Sequence, residues 1–440
     1  MIKLLKNMNL RQIASSALLF VLTTTTATAQ ISFSSYALQN VNIIDVNTND
    51  ILYDYTIIIN NDKISKILPS KNYSLNDTIP SIKLKGKFVV PGLIDSHVHF
   101  ATDPTEERRD NAEKVLKEML LTGITSVRDM AGDARALSSL SRNALVGDIV
   151  APNIYYSSLM AGSKFFKDPR TLATAQGGVS GQMPYMKAID DNSNILLEVA
   201  QAKGTGAKGI KLYALLTNQQ IKTIVLEAKK QNIPVWSHAS LIPTLPIDVV
   251  SSGVISISHS DMLVNQTYRE KTNIPSSWKG TGALEMLPEF WDEEYSKLKL
   301  NSIFELMKQY NVVLDATLTV YESYKGLKNA HWRYEMAKRI TREAKNAGVK
   351  VAAGSDSDQA TFVQYEMKLL VNEAGFTPFE ALVSATKNSA QATGIIDNQG
   401  TIEVGKKANL LFLNSNPVEN IDHIDDLFMV IKNGKFYNKK

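Results

Sequence analysis

A chain of 440 residues that is 44% apolar and 21% charged, with only 14 prolines and 23 glycines, is neither disordered nor collagen-like. It is too long for one small core and fits one large domain with a smaller companion, or two to three ordinary domains. Cysteine is absent, so disulfides cannot staple the fold, and any transition metal must be held by histidine and carboxylate instead of thiolate. The formal net charge is +4, of which Lys3, Lys6 and Arg11 supply three. A remainder of about +1 offers no basic patch for nucleic acid or an anionic membrane.

Residues 1–29 place those three cations before the apolar run "IASSALLFVL" and the small-residue stretch "TTTTATAQ". This order predicts a secretory signal peptide cleaved after Ala29, hence a periplasmic or extracellular protein. The apolar run is about half the roughly 20 residues that a membrane span requires, so no span is expected after cleavage.

Residues 30–90 read as short β-strands, "YALQNVNIIDV", "YDYTIIINNDKISKILP" and "SIKLKGKFVVPG", separated by Asn/Asp/Gly turns. Residues 396–440 return to that style in "GTIEVGKKANLLFLN" and "MVIKNGKFYN", where Asn-Gly marks a hairpin. The two ends predict one discontinuous β-sandwich around a continuous central domain, 91–395.

The centre alternates apolar strands with amphipathic helices such as "NQQIKTIVLEAKKQN". Eight strand candidates follow in order: "GLIDSHVHF", "GITSVRDM", "NIYYSSL", "GIKLYAL", "PVWSHAS", "VISISHS", "NVVLDATLTV" and "VKVAAGSDS". They predict an α/β fold, a (β/α)8 TIM-like barrel, with an open doubly wound sheet as the alternative. The connections at 160–192 and 261–300 are long enough to be lids or specificity walls.

His97 and His99 lie near the end of the first strand, His238 of the fifth and His259 of the sixth, with Asp356 at the eighth and Lys211 on the fourth. All six fall at the C-terminal strand ends, where such barrels place their chemistry. His97 and His99, two apart on a strand, project to one side and can chelate one ion. Lys211 interrupts the apolar run "GIKLYALL", and a buried ammonium without a partner is costly. His331 and His423 fall in a helix-like stretch and in the terminal β segment, and are read as surface or packing residues.

"VVPGLIDSHVHF", the strand-four lysine, "SHA", "SHS" and "GSDS" together resemble the metal-dependent amidohydrolase superfamily, binuclear type, and "GTIEVGKKANLLFLNSNPVENI" resembles that family's return into its sandwich. The resemblance implies a pair of divalent ions, zinc as the first guess, bridged by Lys211 carrying a carbamate derived from carbon dioxide. It puts His97, His99 and Asp356 on one ion and His238 and His259 on the other, with Asp356 also the catalytic base. The nearest branch resembled is that of exported imidazolonepropionase-related and prolidase-like amidohydrolases. Retention of the lysine then favours cleavage of dipeptides or N-acyl amino acids over deamination. A cyclic amide or lactone hydrolase is the alternative, and a non-catalytic binding module the remote one. Tyr213, two residues beyond Lys211, and Arg128, near the end of the second strand, are candidate substrate-binding residues; Tyr213 has packing against the loop as its alternative, and for Arg128 an internal salt bridge to Asp129 or another acid is the favoured reading. A Gly/His-rich segment associated with prolidase-like relatives is replaced by "AGSKFFKDPR", which puts proline specificity in doubt. The expected partner is a small molecule or short peptide, and self-association is left open.

Overall fold

The computed structural model describes residues 34–74, 79–100, 106–270, 300–327, 330–356 and 362–437. The expected leader, 1–29, lies outside them, as does most of the connection at 261–300.

Eight strands hydrogen-bond in parallel around the central domain: β1 (Leu93–Val98), β2 (Ile124–Asp129), β3 (Asn153–Gly162), β4 (Gly209–Leu212), β5 (Val235–His238), β6 (Ser256–Ser258), β7 (Val313–Asp315) and β8 (Val351–Ala352). Backbone bonds between the two terminal strands close the ring, Ser96 N to Ala353 O at 3.0 Å and Asp356 N to His97 O at 2.8 Å. The fold is thus the expected (β/α)8 barrel. Its strands read as unbroken buried runs because parallel barrel strands are covered on both sides. The helices between them carry the complementary stripe. Asn218–Lys230 opens with a Thr217/Gln220 capping box and buries Ile221, Ile224, Val225 and Ala228, one face of a 3.6-residue period.

Both chain ends contribute to a second, eight-stranded sheet: Ser35–Ile44, Ile51–Asn60, Lys63–Pro69, Ser81–Lys83 and Phe88–Pro91 from one end, Leu410–Leu413, Leu427–Lys432 and Lys435–Tyr437 from the other. It is one continuous hydrogen-bonded sheet, curled over on itself. Ser35–Ile44 and Lys435–Tyr437 are four places apart in strand order, which in a flat sheet is about 19 Å. Yet Tyr36 and Phe436 have ring centroids 4.8 Å apart, and Tyr36 OH donates to Gly434 O at 2.9 Å. The inner strands are apolar on both faces for a physical reason. Leu410 and Phe412 enter the core of the curled sheet, while Leu411 and Leu413, on the opposite face, join the cluster that continues into the barrel.

The excursion at 160–192 is ordered. Strand β3 runs past the barrel lip and pairs in parallel with Met186–Ile189, itself paired with Gln182–Met183. Between them lie a 3-10 turn, Ser163–Lys167, and a short helix, Pro169–Thr174, capped by the Asp168 side chain. Gly162 is required where this excursion leaves the barrel: a Cβ there would sit 2.8 Å from the Leu215 Cβ.

Candidate active site

The barrel gathers His97, His99, Lys211, His238, His259 and Asp356 at the C-terminal ends of β1, β4, β5, β6 and β8. His97, the carboxylate of Asp356 and His259 each offer a ligand atom, and these atoms lie within 4.8 Å of one another. Asp356 Oδ1 is 3.2 Å from His99 Nε2 and 3.5 Å from His97 Nε2, and its Oδ2 is 3.8 Å from His259 Nδ1. The His238 and His259 rings are 4.7 Å apart. Lys211 is fully buried beneath them, its Nζ donating to Ser258 Oγ at 3.2 Å.

Local backbone conformation aims these groups. His259 (φ 75°), Thr317 (φ 56°) and Asp356 (φ 49°) all adopt the left-handed region that non-glycine residues avoid. Tertiary bonds enforce it: His259 N to Asp315 O at 3.0 Å, and Asp356 N to His97 O at 2.8 Å. Strain held this way clusters at functional sites.

Asp315, at the end of β7, was not singled out in the sequence and proves central. It is fully buried and accepts from Ser96 Oγ (2.8 Å), His97 Nδ1 (2.7 Å), Ser258 Oγ (3.0 Å) and Arg128 Nη2 (3.1 Å). A carboxylate with that many donors fixes the proton of His97 on Nδ1 and turns the Nε2 lone pair toward the cluster. His99 is set in the same sense by Nδ1 donating to Ala131 O at 3.1 Å. Asp95, also missed, is fully buried and pins the β8 turn by accepting from Ser355 N (3.0 Å) and Ser355 Oγ (2.7 Å). The available signal for both was an acid inside an otherwise apolar strand, the same signal that Lys211 gives.

Electrostatics follow from burial. It pushes His259 down to about 4, and holds His97 and His238 well below the usual imidazole range. Burial alone would raise Asp356, but His97, His99 and His259 outweigh it and hold the carboxyl well below its ordinary value. His99 is raised: burial works against its charge, and its contact with Asp356 prevails. Lys211 is pushed down to about 7, first by burial and then by the Arg128 charge.

Arg128 corrects one expectation. It does not reach the mouth: it is fully buried below the cluster, donating to Ser96 O (2.6 Å), Ser256 Oγ (2.8 Å), Ala392 O (2.7 Å) and Asp315, with Trp236 5.0 Å from its guanidinium. A substrate carboxylate cannot reach it, and the internal ion pair is the reading that the structure supports. Tyr213, one residue past the end of β4, does face the mouth. Its ring lies 4.0 Å from that of His238 and 4.5 Å from that of Phe165, and its hydroxyl accepts from Arg170 Nη1 at 3.4 Å. His423 is a structural residue, its Nδ1 donating to Asn416 O at 2.7 Å.

The donor set fits divalent cations. His97 Nε2 is buried with no hydrogen-bond partner among the described residues. Around it stand three more imidazoles and a carboxylate, a donor set that suits zinc and similar ions.

Comparison with known proteins agrees with this geometry. The amidohydrolase family model matches residues 88–437, and a composite domain named for NagA matches residues 35–89. The ochratoxinase of Aspergillus niger is 26% identical over 383 residues, spanning 76% of this chain and 71% of that protein. The imidazolonepropionase of Mesorhizobium japonicum is 39% identical over 67 residues, only 14% of this chain and 16% of that one. Among solved structures, a Xaa-Pro dipeptidase with methionine bound in its active site superposes with a TM-score of 0.72 at 23% identity, covering 92% of this chain and 100% of that one. With its barrel, its terminal sheet and the ordered set of strand-end residues inside the matched span, the chain belongs to the amidohydrolase family.

Proposed function

We propose that this protein is an exported, metal-dependent hydrolase of C–N amide bonds, acting on dipeptides or N-acyl amino acids. One observation carries the reading: a fully buried lysine, Lys211, sits among four histidines and an aspartate at the mouth of an amidohydrolase barrel. A lysine destined to remain an ammonium would be paired there with a carboxylate, whereas the Lys211 amine donates to the Ser258 hydroxyl. Its depressed basicity keeps the amine available for carboxylation near neutral pH. The resulting carbamate, with His97, His99, His238, His259 and Asp356, would hold two divalent ions, zinc first among them. When bound, such a pair supplies a water ionised near neutral pH and polarises a carbonyl.

The chain's own groups do the rest. Asp356, ionised and aimed by its φ of 49°, accepts the proton of the attacking water and delivers it to the leaving nitrogen. Asp315 holds His97 in register through the reaction, and the Tyr213 hydroxyl is placed to orient substrate from the side of β4. Support for amide substrates also comes from the relatives, one named an ochratoxinase and one a Xaa-Pro dipeptidase. The leader at 1–29 supports export, and none of the described helices is long and apolar enough to cross a membrane.

The test is a turnover screen of the purified protein against dipeptides, N-acyl amino acids, hydantoins and lactones, with and without a chelator. Chelator-sensitive release of amino acid from the first two classes is expected. Turnover confined to hydantoins or lactones would overturn the substrate class, and chelator-insensitive turnover the metal dependence.

A further inference from the structure

The β3 excursion places a second charged group at the mouth. Arg170 sits on the short helix Pro169–Thr174 with its side chain 55% exposed. Asp168 grips one edge of its guanidinium, accepting from Nε at 3.0 Å and Nη2 at 2.7 Å. Its Nη1 points to the Tyr213 hydroxyl at 3.4 Å, with the guanidinium carbon 6.0 Å from the Tyr213 ring centroid. Beneath it opens a pocket lined by Leu159, Phe165, Met186 and Tyr213, with His99 of the metal-ligand set at its wall. The pocket is mainly apolar, Arg170 with its Asp168 partner stands at its rim, and His99 joins one wall to the reacting centre.

The guanidinium is held before any ligand arrives. The Asp168 fork, the Tyr213 hydroxyl and the helix's own ties, Thr171 Oγ1 to Asp168 O at 2.8 Å and Tyr185 OH to Thr174 O at 2.9 Å, fix its base. A fixed planar donor loses little freedom when it binds a carboxylate. The fork uses Nε and Nη2, which leaves Nη1, with one N–H directed at the Tyr213 hydroxyl, on the side of the pocket. A second arginine close to the site among the described residues, Arg333, is differently occupied. It is buried, bonds Asp261 at 2.7 Å and Tyr321 OH at 3.4 Å, and does not line the Phe165–Tyr213 pocket.

Substrate chemistry supplies the reason for such a group. An amino acid bearing a free carboxylate would otherwise compete for the same ions that must receive its scissile carbonyl. A cation displaced from that centre draws the carboxylate aside and leaves the amide in place. We infer that Arg170 is a specificity-determining residue that binds the free α-carboxylate of substrates whose apolar side chain enters the Phe165–Tyr213 pocket. This rests on the hydrolase reading above and narrows it to N-acylated or N-terminally extended apolar amino acids with an unblocked C-terminus.

Binding is measured by calorimetry on the full protein with N-methylsulfonyl-L-leucine, whose sulfonamide replaces the scissile amide, and with its carboxamide. The acid should bind at least about 10-fold more tightly than the carboxamide, the scale of one charge-assisted contact. Arg170→Ala should erase the difference by weakening the acid alone, and Arg170→Lys should retain part of it. Arg135 makes the same fork with Asp133 without lining the pocket, so Arg135→Ala should leave the discrimination intact. Equal binding of acid and carboxamide by the wild type, no binding of the acid, or equal weakening of both by Arg170→Ala overturns the inference. If discrimination fails while chelator-sensitive amide turnover persists, this inference alone falls. Discrimination by a protein that hydrolyses no amide sinks the hydrolase reading and leaves the carboxylate site standing.

Discussion

His97 Nδ1 and Asp315 Oδ2 are 2.7 Å apart with both side chains fully buried, and the same oxygen takes a hydrogen bond from Arg128 at 3.1 Å. Asp315 therefore balances a buried guanidinium and sets the imidazole tautomer together. The two roles separate by substitution. Asp315→Ala leaves Arg128 buried without its counter-charge and should destabilise the metal-free protein by about 3–5 kcal/mol in urea unfolding. Asp315→Asn keeps the volume but weakens the hold on His97, and should lower zinc affinity by about 10–100-fold in a competition titration. Wild-type zinc affinity in the Asn variant would exclude Asp315 from orienting the ligand.

Asp356→Asn separates chemistry from folding. Asparagine tolerates the left-handed conformation that Asp356 occupies at φ 49°, so the substitution adds little backbone strain. Without a carboxylate the proton relay is lost, and turnover should fall by about 10²–10⁴-fold, the usual contribution of a general base. Circular dichroism and the unfolding midpoint should stay close to wild type. Near-normal turnover in a folded variant would remove Asp356 from the proton relay.

Gly354 stands where β8 meets this cluster. A Cβ there would lie 2.6 Å from His97 Cβ and would also collide with the Asp315 carboxylate. Neither neighbour can retreat, since both are fully buried and mutually bonded. Gly354→Ala should cost about 1–3 kcal/mol by overpacking and should disturb zinc binding more than an exposed Gly→Ala. Gly326, where a Cβ would meet nothing within 4 Å, supplies the comparison.

What the sequence disclosed and what it withheld divide along one physical line. Strand periodicity and position at strand ends are local properties, so eight strands and six chemistry-bearing residues could be read directly and fell at one mouth. Asp315 occupies the corresponding place on β7 but lacks a histidine's chemical signature, and its importance comes from Arg128, His97 and Ser258 on three other strands. Arg128 was left between a substrate contact and an internal ion pair, and the structure shows the pair. Its type suggested a substrate contact, while its direction depends on the barrel interior, where Ser96, Ser256 and Ala392 take up its donors. The curled terminal sheet was legible as strands, but its curl depends on the Tyr36–Phe436 contact, about 400 residues apart in sequence.

Lys211 yields a prediction through pH. Its amine is pushed down to about 7 in the folded protein by burial and Arg128, against 10.5 for an ordinary lysine. Between about pH 7 and 10.5 the unfolded chain holds a proton that the folded chain has released, so stability rises with pH across that window. Below about pH 7 both states hold the proton and the rise stops. Lys211→Met lacks this group. The difference in unfolding free energy, wild type minus variant, should therefore be flat below pH 7 and climb towards pH 10 in metal-free, carbonate-free buffer. The same neutral amine is the form that takes up carbon dioxide, so wild type supplied with bicarbonate and zinc should load about two ions per chain, and more readily above pH 7 than below it. Lys211→Met, with no bridge to offer, should saturate at about one. Two-ion loading by the Met variant would disprove the carbamate bridge, and a pH-independent stability difference would show that the Lys211 amine titrates alike in the folded and unfolded chain.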